Sequence, residues 1–130
     1  MKYFILNNTN FGYNNNSKEY FNNLKKYFYD FFIPYLKKNA KENDKLIHLG
    51  GLFNNTDKHK TEYILTVKDI IDKISKILPI FLLVREDKYN NGNYPHKLLS
   101  NLKTTIVEDY LEIDNIQFIV KNIEKIKNNK

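Results

Sequence analysis

Residues 61–84 place an amphipathic helix directly before a buried strand, and that pair decides what the chain can fold into. From Thr61, a capping residue, Tyr63, Val67, Ile70, Ile71, Ile74, Ile77 and Leu78 recur at helical spacing, with Lys68, Asp69, Asp72, Lys73 and Lys76 on the other side. Pro79 stops the helix, having no N–H to donate. The run PIFLLV does not alternate between apolar and polar residues, so both of its faces need cover, as in the interior of a parallel sheet. Two more strand-length runs, Lys2–Leu6 and Lys45–Leu49, precede this helix. Strands alternating with helices call for parallel pairing through right-handed crossovers: an α/β fold, mainly a parallel sheet with flanking helices.

The first crossover is the segment from Ser17, an N-cap, to about Asn39. Tyr20, Phe21, Leu24, Tyr27, Phe28, Phe31, Phe32, Tyr35 and Leu36 keep helical spacing in it. Pro34 interrupts it, so a kink or break is expected there. After the polar segment KYNNGNY, Pro95 opens a short helix to about Leu102, and Thr104–Val107 is a fourth strand. Tyr110–Ile113 and Ile116–Val120, joined by Asp114-Asn115, form a C-terminal hairpin, and NIEKIKNNK a terminal helix. With no repeat and no linker, residues 1–130 read as a single domain.

The formal charge of +6 rests on lysine, since Arg85 is the only arginine. Arginine provides the bidentate fork used to read phosphate and guanine, so the charge by itself points weakly to nucleic acid. Its abundance of Lys, Asn, Ile, Tyr and Phe is what an AT-rich genome encodes. Without cysteine, neither a disulfide framework nor a thiolate metal site is available, in keeping with a reducing compartment. The N-terminal apolar run is too short for a signal peptide, and no run approaches the ~18 residues of a membrane span. A cytoplasmic protein with no membrane partner is expected.

Three segments carry a resemblance. FILNNTNFGY, HLGGLFNN and PIFLLVREDKYNNG have the order and spacing of the first three motifs of the calcineurin-like metallophosphoesterases. The wider match, including NNGNYPHKLL, resembles the nuclease subunit of SbcCD-type DNA repair exonucleases of bacteria and phages. The resemblance covers essentially the whole chain but only the first half of the family's domain. In that family Asp-x-His-x-Gly, Gly-Asp and Gly-Asn-His-Asp follow successive strands and bind two divalent metals, which activate a hydroxide for attack on phosphorus.

What the resemblance implies here is loss. Asn8 and Asn10 stand in the first Asp and His positions, and Gly51 replaces the bridging Asp. Asn54 takes the place of a further frequent acid, Arg85 and Glu86 occupy the third motif's Asn and His positions, and only Asp87 matches. Amides are weak neutral ligands and glycine offers none, so neither metal nor other cofactor is expected. Asn8, Asn10, Asn54, Arg85 and Lys88 would line what remains of the groove.

The other candidates have plain readings. His48, inside the second strand, is expected to be a packed or edge histidine, and His96 to sit in solvent near a helix N-terminus. Asp57 and His59, with Asp44 across the loop, are an adventitious surface metal site at most. Tyr13, Tyr89 and Tyr94 fall in loops near the sheet's carboxyl edge, where they stack on a ligand or cap the core. The large aromatic stripe of the first helix is core, with a surplus available for an interface.

Three functions compete. The first is an inactive phosphoesterase-like protein acting by protein binding, as a viral inhibitor or decoy of host nucleic-acid or defence machinery. The second is a nucleic-acid-binding module, and the third a residual metal-dependent nuclease. Half a fold leaves apolar sheet surface to cover, so a homodimer or heteromeric complex is expected, held by the first helix or by the sheet edge.

Overall fold

The structure, a computed structural model, describes residues 1–13, 17–53, 61–84, 95–108 and 110–119. Strand β1 (Tyr3–Leu6) leads into a long helical stretch made of α1 (Lys18–Lys26), a π-helical turn (Tyr27–Phe32) and α2 (Ile33–Asn39). Next come β2 (Lys45–His48), α3 (Thr61–Ser75), β3 (Ile80–Leu83), a 3-10 turn (Pro95–Leu99) and β4 (Thr104–Val107). Strands β5 (Tyr110–Ile113) and β6 (Ile116–Ile119) close the described chain.

The four strands β1 to β4 form one parallel sheet whose order follows the chain. Tyr3 lies opposite Lys45, Leu46 opposite Ile80, and Ile80 opposite Thr104. In such an order, crossovers of one hand put every connecting helix on the same face. Phe4, Leu6, Leu46, Ile80, Leu82 and Ile106 accordingly share one core with Phe21, Phe28, Phe32, Leu36, Tyr63, Ile70 and Ile74. The opposite face needs a separate cover, and the β5–β6 hairpin supplies it. Leu111, Ile113 and Phe118 pack with Tyr3, Ile47, Leu49, Phe81, Leu83 and Val107. Asp114 and Asn115 both have positive φ, 51° and 69°, as a two-residue hairpin loop matched to strand twist requires. Asp114 then reaches back to the sheet, taking a hydrogen bond from Tyr3 Oη and pairing with Lys45 Nζ at 3.0 Å.

Two expectations need correction. The helix does not break at Pro34. Its irregularity lies just upstream, where Ile33 N–H reaches back five residues to Phe28 O. A proline crowds the carbonyl four residues before it and leaves that acceptor without a donor, and a widened turn accommodates both effects. The short helix does open at Pro95, but it is of the 3-10 kind and ends at Leu99 instead of about Leu102. A strand begins at Thr104, too soon for longer helical pairing. The C-terminal segment read as a helix lies outside the described residues. Among those described, no helix is long and apolar enough to cross a membrane.

Candidate functional site at the carboxyl edge of the sheet

The segments after β1 and β2 leave the carboxyl edge of the sheet side by side. Leu49 N–H donates to Leu6 O, Asn8 N–H to Gly50 O, Asn10 N–H to Gly51 O and Phe11 N–H to Leu52 O, so pairing continues beyond the regular strands. It continues on unusual backbone: Asn8 and Asn10 lie at φ 53° and 51°, and Gly12, Gly50 and Gly51 at 92°, 132° and 69°. Asparagine tolerates the left-handed region better than other side-chain-bearing residues, and glycine enters it freely. These loops are therefore written into the residue types.

This arrangement brings together three positions of the resemblance. A Cβ on Gly51 would overlap Asn8 Oδ1 and stand 3.1 Å from Asn8 Cα and 3.4 Å from Asn10 Oδ1. Asn10 Nδ2 donates to Asn8 O at 3.2 Å, which locks the two residues to each other. The space into which a bridging carboxylate would project from position 51 is filled by an asparagine amide. Asn8, Asn10 and Gly51 bring no formal charge to offset a cation, so they do not fit the two-metal centre of the family. Among the described residues, no three of His, Asp and Glu gather in a group able to hold a metal. Asn54, Arg85, Glu86, Asp87 and Lys88 lie outside the described residues, as do Asp57, His59, Tyr89 and Tyr94.

Beneath the loops lies a buried polar chain. His48 sits on the same face of β2 as Leu46 and is 2% exposed. Its Nδ1 accepts from Gly50 N–H at 3.2 Å, which leaves Nε2 as the protonated nitrogen, 3.1 Å from Thr9 Oγ1. The Thr9 hydroxyl in turn donates to Leu52 O at 3.1 Å. Burial pushes the His48 imidazole down to about 4, so it is neutral at physiological pH. His48 is thus the packed histidine expected from its strand position. Thr9, between Asn8 and Asn10, carries no local sequence signal of this role, although it is what His48 holds.

His96 is not in solvent. It is buried, with its ring edge-on to Phe53 at 5.2 Å, because the 3-10 turn folds back onto the loop after β2. Asp44 is buried. It precedes β2, at the amino edge of the sheet, and accepts from the backbone N–H groups of Lys2 at 2.7 Å and Lys41 at 2.8 Å. These bonds hold its carboxyl below the usual range. Tyr13 is exposed beside the loop, tilted against Tyr20, whose hydroxyl donates to Thr9 O at 2.6 Å.

The aromatic stripe of the first helix divides in two. Phe21, Phe28, Phe32 and Leu36 are buried in the core, whereas Tyr27, Phe31 and Tyr35 are 39%, 57% and 43% exposed. The exposed three form a ladder, with ring centroids 5.7 Å apart for Tyr27 and Phe31 and 5.8 Å for Phe31 and Tyr35. Tyr35 also meets Phe4 of β1 edge-on at 6.3 Å. The ladder borders a shallow groove that Pro34, Lys38 and Asn39 help to line. In comparison with known proteins, no family model matches the chain, and no curated protein matches it.

Proposed function

We propose that this chain is a non-catalytic protein on a metallophosphoesterase-like scaffold, and that it works by binding another protein. The observation that carries this reading is the ladder of Tyr27, Phe31 and Tyr35. It displays aromatic surface at a place where the helix has already met its packing needs through Phe21, Phe28 and Phe32. Aromatic side chains are the usual anchors of protein interfaces, since they bury much area for few frozen torsions. The neutral cluster of Asn8, Asn10 and Gly51 supports the non-catalytic half of the reading, because it supplies neither charge nor room for a bridging ligand.

A viral inhibitor or decoy acting on nucleic-acid or defence machinery in the cytoplasm of its host is the role that combines an emptied phosphoesterase site with a binding surface. Two measurements test the proposal together. Manganese is expected to support no cleavage of single- or double-stranded DNA, and affinity capture from host cells is expected to retain a protein that a Phe31→Lys variant releases. Metal-dependent cleavage by the pure protein overturns the reading. Salt-sensitive capture of DNA with no protein retained transfers it to nucleic-acid binding.

A further inference from the structure

We infer that β1 is a docking edge, and that its occupant is β1 of a second copy of this chain, paired antiparallel across a twofold axis at Ile5. β1 ends the sheet, with β2 as its only neighbour among the described strands. Lys45 N–H donates to Lys2 O, Leu49 N–H to Leu6 O and Asn8 N–H to Gly50 O, so the even-numbered residues of this stretch turn their backbone groups towards β2. In a strand the next residues point the opposite way. The N–H and C=O of Tyr3, Ile5 and Asn7 therefore face outward, and Ile5 is 53% exposed. Soluble proteins guard such an edge with charge, proline or a bulge, yet Tyr3–Leu6 reads YFIL and carries none of these.

The choice of a second copy rests on charge and on the helix above the edge. The helical stretch runs antiparallel to β1: Tyr20 reaches Thr9 at one end, and Lys2 Nζ reaches Asn39 O at the other. Lys2 and Lys38 thus mark one end of the edge, and Asn7, Asn8 and Asn10 mark the other. A twofold at Ile5 sets Tyr3 opposite Asn7 of the copy and Lys2 opposite Asn8, so lysines meet neutral amides instead of each other. A parallel arrangement would stack the lysines. The same axis keeps both helical layers on one face of a continuous sheet and lays the ladders side by side in opposite directions. Phe31 then meets its own counterpart, and Tyr27 meets Tyr35. One operation pairs the open backbone groups, covers the exposed aromatic rings and keeps the lysines apart.

This inference names a second copy as the partner of the ladder and so rests on the protein-binding reading; its failure is separable, since cleavage and capture by the wild type test that reading, while sedimentation of the pure chain and of Ile5→Pro tests this one. Sedimentation over a concentration series is expected to give twice the chain mass for the wild type. In Ile5→Pro the lost N–H is one that β2 does not use, so the variant is expected to keep its circular dichroism and sediment as a monomer. Phe31→Lys, on an exposed position, is expected to weaken association by about tenfold or more, which guards against misfolding of the proline variant. Hydrogen exchange adds a direct readout: the Ile5 and Asn7 amides are expected to gain protection as concentration rises. A monomeric wild type, a dimer that persists in folded Ile5→Pro, or protection at Ile5 independent of concentration overturns the inference.

Discussion

The imidazole of His48 lies 3.1 Å from the Thr9 hydroxyl, at the centre of a hydrogen-bonded chain from Gly50 N–H to Leu52 O that ties the loop after β1 to the loop after β2. Its Nδ1 accepts from Gly50 N–H, and burial pushes the imidazole down to about 4 from an ordinary 6.5. A depressed pKa means that the unfolded chain binds the proton first as pH falls. Stability is therefore expected to be complete above about pH 6.5 and to decline through the interval down to about pH 4, by about 3 kcal/mol in all. Urea unfolding across that range checks it, and a folded His48→Gln variant should lose this part of the slope.

Thr9→Val probes the other end of the pair. Valine keeps the shape but removes one of the two donors to Leu52 O, which keeps Phe11 N–H, and leaves the His48 Nε2–H without its acceptor, which should cost about 1–3 kcal/mol in chemical denaturation. Serine at this position should recover most of the loss.

Gly51→Ala tests the crowding between Gly51 and Asn8. The backbone there sits at φ 69°, and the new methyl meets Asn8 Oδ1, so a destabilisation of about 1–2 kcal/mol is expected. Adding Asn8→Gly removes the clash but not the left-handed strain, so the double variant should regain only part of it.

Within the first helix, neighbouring aromatics should behave oppositely. Phe28→Ala empties a core site and should cost about 3–5 kcal/mol. Phe31→Ala, on the exposed ladder, should stay within about 0.5 kcal/mol for the monomer. Thermal unfolding at low protein concentration distinguishes the two.

Asp114→Asn retains a residue suited to the hairpin turn but gives up the ion pair with Lys45 and weakens the bond from Tyr3. The pair is partly exposed, so the cost should be small and should shrink with added salt. Absorbance titration should also show the Tyr3 hydroxyl, now pushed up to about 12 by the carboxylate it donates to, returning towards its ordinary value.

Much of this fold is legible because its signals are local. Leu46 and His48 stand two apart in a strand and so share a face, in keeping with a packed or edge histidine, and the structure buries it. Asp114-Asn115 between two short apolar runs specifies the hairpin, since both residues accept positive φ. The burial of His96 is not legible in this way, because it depends on a long-range contact with Phe53, more than forty positions away, that no local pattern records. The widened turn before Pro34 is hidden for a different reason: the proline's constraint falls on the preceding turn, where Ile33 N–H reaches back to Phe28 O.

The sequence by itself determined the element order, the parallel sheet and the glycine and asparagine loops at its carboxyl edge, because helical period, strand length and positive φ are properties of neighbouring residues. Tertiary structure alone decided which aromatics of one helical stripe are core and which are surface, because the sheet covers only one side of that helix. It also decided that the hairpin closes the second face of the sheet, that the Asn8 amide fills the space beside Gly51, and that Thr9 holds His48. Each of those contacts joins segments distant in sequence, whose distance is set by packing and by nothing in the local pattern.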